Sequence, residues 1–110
     1  MELNMKIKIA DNFKDKLIGL MFKENINYGL LIKNCKSIHT FFMKENIDVL
    51  LLDNTNRILM INRNIKPNKI IIFKNKNTCN ILELPSNSSL NLKVNDIIDL
   101  NNFNEKKRSY

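Results

Sequence analysis

The sequence predicts an all-β protein, mainly strand with one short helix, folded as a compact β-sandwich or barrel-like single domain. Three observations carry this expectation. Apolar residues alternate with polar ones in most hydrophobic segments, the period of half-buried strands. A helical period occurs once, near residues 12 to 20. Turn-forming residues separate the short apolar runs at close spacing, as in sandwiches and barrels. At 110 residues and 44% hydrophobic, the chain can bury a core without metal or disulfide staples.

The first element is a strand, because Leu3, Met5, Ile7 and Ile9 alternate with polar or basic residues. In "DNFKDKLIGLMF" the period changes: Phe13, Leu17 and Leu20 fall on one helical face. Asp11 or Asn12 can cap that helix, and Gly19 is placed to end it. Tyr28 and Gly29 then turn the chain into a short strand, "LLI".

From Lys36 onward strands dominate. "SIHTFF" and "IDVLLLD" flank "MKEN" and read as a hairpin, followed by the turn "DNTNR" and the strand "RILMI". A loop through "NRNIKPN" leads to the strand "KIIIF", the turn "KNKNT" and the strand "CNILEL". "PSNSS" is a turn and "DIIDL" a last strand, making seven or eight strands. The domain is expected to span residues 1–100, with the polar segment 101–110 as a frayed tail.

The net charge of +7 is uneven. No acid occurs between Asp53 and Glu83, a window holding Arg57, Arg63, Lys66, Lys69, Lys74 and Lys76. Such a face attracts phosphates, but solvated lysines that guard sheet edges are the plainer reading. Base and phosphate recognition favours arginine forks, and the chain has 3 Arg against 15 Lys. Phe73, the window's one aromatic, is too little for a stacking platform. Weak, non-specific nucleic-acid contact is the most this window predicts.

The opening "MELNMKIKIADNF" lacks the apolar core of a secretory signal, and no run approaches a membrane span. A cytoplasmic location without membrane contact is expected, with Cys35 and Cys79 as reduced thiols. Each reads as a small buried hydrophobe rather than a zinc ligand. No cofactor is implied.

The stretch Cys35 to Asp53, "CKSIHTFFMKENIDVLLLD", holds the single histidine and a lone acid, Asp48, between Ile47 and Val49. If Lys36–Phe42 and Ile47–Leu52 pair around a four-residue turn, Cys35, Ser37, His39, Phe41 and Met43 share one face. Cys, His and Met are soft ligands, but residues four apart on a strand are separated by about 13 Å at roughly 3.3 Å per residue. No metal site is therefore expected. In the same register His39 and Asp48 become diagonal neighbours, and an acid among apolar residues needs a partner. The pair can be an acid–base dyad or a structural polar pair, and the structural reading is preferred. Glu83 in "NILELP" poses the same puzzle, so any catalysis would fall to His39, Asp48 and Glu83. Ser37 shows no nucleophile elbow.

Several motifs in fixed order resemble one family: "GLM" (19–21), "YGLLI" (28–32), "CKSIHTFFM" (35–43), "IDVLLLD" (47–53), "KP" (66–67), "ILELP" (81–85) and "VNDII" (94–98). It is the bacterial uncharacterised family domain of unknown function 192, in its branch with a His-Thr-Phe-x-Met then Ile-Asp motif. The resemblance covers about residues 10 to 100. It implies a compact β-sandwich or barrel-like fold with a short helix, and no activity. The matched positions are Gly19, Cys35, Ser37, His39, Thr40, Met43, Asp48, Glu83 and Pro85. Glu45 and Asn46 stand where that branch has an aromatic and a proline, which alters the loop after Met43. Asn87 and Asn95 stand where it has glycines, and asparagine tolerates positive φ.

The functional expectation is a small non-enzymatic binding or accessory module. Its polar pocket near the 35–53 hairpin would bind a small ligand or protein partner through Cys35, Ser37, His39, Thr40, Met43, Asp48 and Glu83. The alternatives are a hydrolase-type enzyme using His39 with Asp48 or Glu83, and a weak nucleic-acid binder through residues 57–76.

Overall fold

Residues 5–78 and 80–99 are described in a computed structural model of the chain. Cys79 and the segment 101–110 lie outside the described residues, so the expectations made for them are not taken further. The described elements are β1 (Ile7–Ala10), α1 (Phe13–Ile18), β2 (Gly29–Lys33), β3 (Ser37–His39), β4 (Ile47–Leu52), β5 (Ile58–Ile65), β6 (Ile70–Ile72) and β7 (Asn80–Pro85). The protein is mainly β with one short helix, as its periodicity predicts.

Five strands form one sheet in the order β1-β2-β7-β4-β5, parallel between β1 and β2 and antiparallel elsewhere. The remaining strands, β3 and β6, form a small antiparallel sheet. Apolar residues bury on both faces of the larger sheet. One core holds Leu30, Ile32, Ile47, Val49, Leu51 and Ile81, and it is covered by Ile38 of β3, Met43 and Phe73. The other holds Ile7, Leu31, Leu50, Leu52, Leu82 and Leu84, covered by Leu92 and Ile98 from the C-terminal segment. All six residues of β4 are buried, which explains its nearly continuous apolar run in place of alternation.

The expected hairpin of "SIHTFF" with "IDVLLLD" does not form. A strand has two hydrogen-bonding edges, and β4 spends both on β5 and β7. β3 pairs instead with β6, placing His39 opposite Ile70. Thr40 fixes this arrangement: its Oγ1 donates to Lys66 O (2.7 Å) and accepts from Lys69 N (2.8 Å), tying the end of β3 to the loop before β6. "NRNI" belongs to β5 rather than to a loop. "DIIDL" is not a strand among the described residues; Ile97 bridges to Arg57, while Ile98 fills the second core.

The helix is capped as its sequence suggests. Asn12 accepts from Asp15 N (2.8 Å) and donates to Asp15 Oδ2 (2.9 Å), and Gly19 closes the last turn with φ 51°. Its apolar face behaves differently from a core-packing stripe. Leu20 is buried, but Phe13 is 82% and Leu17 53% exposed, whereas Asp15 is buried.

Among the described residues nine non-glycine positions have positive φ, and seven of them are asparagine. With only two glycines in the chain, asparagine takes over the left-handed turn positions. Asn87 (φ 71°) and Asn95 (φ 78°), where the resembled family has glycine, are both in that conformation. The turn at Asp53 uses its side chain instead. Asp53 Oδ1 accepts from Thr55 Oγ1, Thr55 N and Arg57 N, and the Thr55 hydroxyl chiefly holds the carboxyl below its ordinary pKa.

Candidate functional site

The exposed face of α1, the small sheet and the middle of β7 border a half-open cavity of about 440 Å³. Its walls are mostly apolar: Phe13 and Leu17 from α1, Ile38 and Phe41 from β3 and the turn after it, and Ile70 from β6. This accounts for the exposed helix face, whose side chains wall the opening instead of entering the core. Polar groups are few and come from Lys16, Cys35, Ser37, His39 and Glu83.

Glu83 is the unusual member. Its register partners Leu30 and Val49 belong to the core beneath the small sheet, so its side chain is directed to that face. The residue is 1% exposed, and its Oε1 has no hydrogen-bond partner. Loss of hydration pushes its carboxyl up to about 8, so the neutral acid predominates at pH 7. Gly19 leaves room above it. A Cβ there would lie 3.4 Å from Glu83 Oε1, and the positive φ of Gly19 would strain any such side chain.

His39 lines the same cavity, yet both ring nitrogens are engaged. Nε2 lies 2.9 Å from Leu17 O and Nδ1 accepts from Phe41 N at 3.2 Å. A carbonyl can only accept, so Nε2 is the protonated nitrogen. The imidazole therefore holds the end of α1 to the turn after β3, and offers no free lone pair to a reacting group. The Cys35 thiol donates to Ser37 O (2.9 Å).

Asp48 is not at this site, and the proposed pairing with His39 is corrected. Its register partner is Leu84, in the opposite core. At Asp48 the β4–β5 ladder slips, Ile47 facing Ile65 and Val49 facing Asn62, so one residue opposes two. The bulge turns Asn64 N toward Asp48 Oδ1 (3.0 Å), while Oδ2 accepts from Ser89 N (3.2 Å) and Ser89 Oγ (2.7 Å). Arg63 closes the network through Nε to Ser89 Oγ (3.0 Å) and Nη2 to Ser89 O (2.9 Å) and Leu92 O (3.1 Å). Asp48 is thus a buried clamp on the C-terminal segment.

Of the seven residues expected to bind a ligand, Cys35, Ser37, His39 and Glu83 line the cavity. Thr40 and Met43 do not: Thr40 is spent on the β6 loop, and Met43 is core. The cavity is mostly apolar; Cys35, Ser37, Ile38, His39 and Phe41 of the 35–53 stretch reach it, although that stretch is not a hairpin. Phe13, Leu17, Phe41 and Ile70 were missed as site residues. Phe13 and Leu17 carry the i, i+4 signal of apolar side chains on a short helix, which reads equally as core packing, while Phe41 and Ile70 carry no such signal. Among the described residues no three His, Cys, Asp or Glu side chains gather as a metal site.

The basic window divides. Arg63 is committed to the Ser89 network and Arg57 Nη1 donates to Asn95 O (3.1 Å), whereas Lys66, Lys69, Lys74 and Lys76 are exposed. No helix among the described residues is long and apolar enough to cross a membrane.

A family model described as "Uncharacterized ACR", domain of unknown function 192, matches residues 1–100. A UPF0127 protein of Thermococcus sibiricus is 33% identical over 102 residues, covering 86% of this chain and 65% of that protein. A UPF0127 protein of Pyrococcus horikoshii is 39% identical over 75 residues, covering 63% of this chain and 64% of that protein. The chain therefore spans less than two thirds of these relatives' length, and both are archaeal, so the bacterial label was too narrow. Two crystal structures share the fold at low identity. A Sinorhizobium meliloti protein described as a candidate transcription regulator has TM-score 0.73 and 18% identity, over 83% of this chain and 78% of that one. A Novosphingobium aromaticivorans protein of unknown function has TM-score 0.75 and 16% identity, over 84% and 73%.

Proposed function

Because this chain belongs to the family of uncharacterised proteins named domain of unknown function 192, we propose its role from its own cavity: a non-enzymatic binding module whose site lies beneath α1. The observation that carries this reading is Glu83, a buried carboxyl with an unpartnered oxygen, among the walls of an otherwise apolar cavity. An unpaired buried acceptor costs roughly 1–3 kcal/mol, a cost that a bound polar group would relieve. Apolar walls with a few placed polar groups, at this volume, suit a small ligand. A hydrolase is disfavoured, since His39 has both nitrogens occupied and Asp48 serves the other face of the sheet.

Protein-observed NMR with a library of small amphiphiles tests the reading. Binding compounds are expected to shift the amides of residues 16–19, 37–41, 70 and 83, leaving Asp48, Asn64 and Ser89 in place. Hits that map consistently to another surface would overturn it.

A further inference from the structure

The charged groups at the cavity select the ligand class, an inference that rests on the binding reading above. Two ionisable groups of opposite type line the cavity without being needed for its architecture, Lys16 in the last turn of α1 and Glu83 on β7. Of the other polar members, His39 and Cys35 are less available. The ring nitrogens of His39 and the thiol of Cys35 already meet backbone groups. A ligand head group in this cavity therefore meets Lys16 and Glu83, with the Ser37 hydroxyl also on the wall. An alkylammonium head would have to approach Lys16 and ionise a carboxyl set in apolar surroundings. An alcohol would leave the ammonium unused. A carboxylate satisfies both, accepting from Lys16 and from the O–H of the neutral Glu83. A chain of net charge +7 also favours anions over cations at long range.

We propose that the cavity binds a small apolar monocarboxylic acid, its carboxylate held between Lys16 and Glu83 and its hydrocarbon lying along Phe13, Leu17, Phe41 and Ile70. The acid must arrive ionised while Glu83 keeps its proton. Burial places the Glu83 titration near 8, so affinity is high near pH 6.5 and falls as pH rises past that point. Ionised Glu83 would offer no hydrogen and would repel the ligand.

The experiment titrates the full chain with octanoate, octylamine and octanol, three probes of equal chain length, by calorimetry at pH 6.5 and pH 9, with NMR to locate each site. Octanoate is expected to bind at least about tenfold more tightly than the other two at pH 6.5, and about tenfold more weakly at pH 9. Glu83→Gln should keep octanoate binding and lose its pH dependence. Lys16→Gln, at a partly exposed position, should bring octanoate down to the octanol level and leave octanol unchanged. Octylamine binding tightest, or all three binding equally at the cavity, would overturn the carboxylate assignment and leave the binding module standing. Failure of all three to bind or to shift cavity resonances would overturn the carboxylate assignment and count against the module as well.

Discussion

Glu83 on β7 and Asp48 on β4 lie one residue out of step across a single antiparallel ladder, and so face opposite sides of the sheet. Val49 stands opposite Glu83, and Leu84 opposite Asp48. Directly paired residues share a face, so this offset of one assigns the two buried acids to different cores. On one face a bulge and the Ser89 loop bring three donors to Asp48. On the other, Glu83 meets apolar side chains and a cavity. One acid is held by three donors, and the other keeps a buried oxygen without a hydrogen-bond partner.

Glu83 makes stability depend on pH. Its folded-state pKa, about 8, lies above the ordinary 4.5, so the folded state binds the extra proton between those values. The stability Glu83 allows is full below pH 4.5, and it declines as pH rises toward 8. The loss between pH 5 and pH 8 should be on the order of 3 kcal/mol. Denaturant melts across that range should show the decline in the native chain. Glu83→Gln should largely flatten it. A native chain equally stable at both ends would mean the carboxyl is hydrated in the fold.

Asp48 should prove a structural residue whose energetic partner is Ser89. Asp48→Ala strands two backbone N–H groups and a hydroxyl in the core, and should cost about 3 kcal/mol or more. Ser89→Ala should cost about 1–2 kcal/mol. A double-mutant cycle should give coupling of at least about 1 kcal/mol between these two, while Asp48 and His39 should be additive within about 0.5 kcal/mol. Coupling between Asp48 and His39 instead would contradict the separation of the two faces.

His39 should behave as a bracket between α1 and the turn after β3. With Leu17 O accepting and Phe41 N donating, the neutral ring carries its hydrogen on Nε2. Imidazole nitrogen NMR should detect that tautomer alone. His39→Ala should cost about 1 kcal/mol, and amide exchange should quicken at Gly19 and Phe41, near its two anchors. A mixture of tautomers would show that one of the two contacts is not kept in solution.

Much of the architecture was legible because burial leaves a periodic trace. Alternation marked β1, short apolar runs between turn residues marked β2, β4 and β7, and Asn12 and Gly19 marked the ends of the helix. The pairing of β3 was not legible, because a short connection between apolar runs looks the same whether it closes a hairpin or crosses between sheets. What decided it lay elsewhere in the chain, in the claim of β7 on the second edge of β4. The site was half legible for the same reason. Single acids in apolar runs announced Asp48 and Glu83, but their facing depends on register and on a bulge. Phe13 and Leu17 carried the pattern of a core stripe, and only tertiary packing shows them to be exposed.

Asn87 and Asn95 should test how asparagine replaces glycine in this chain. Both hold positive φ, at 71° and 78°, a region costing most L-residues roughly 1–2 kcal/mol. Asn95 N donates to Ile58 O (2.8 Å), so its turn fastens the C-terminal segment to the edge strand β5. Asn95→Gly keeps that conformation open and should change the melting midpoint little, while Asn95→Ala should lower stability by about 1 kcal/mol. Asn87 lies in the turn that Ser88 N closes on Pro85 O (3.1 Å), beside the Ser89 clamp on Asp48. Asn87→Ala should therefore lower stability by a similar amount, and Asn87→Gly should not. Thermal melts of the four variants decide the matter: glycine tolerated and alanine costly at both positions is the expected order. Equal effects of glycine and alanine would mean that the asparagine side chains, and not their backbone freedom, hold these turns.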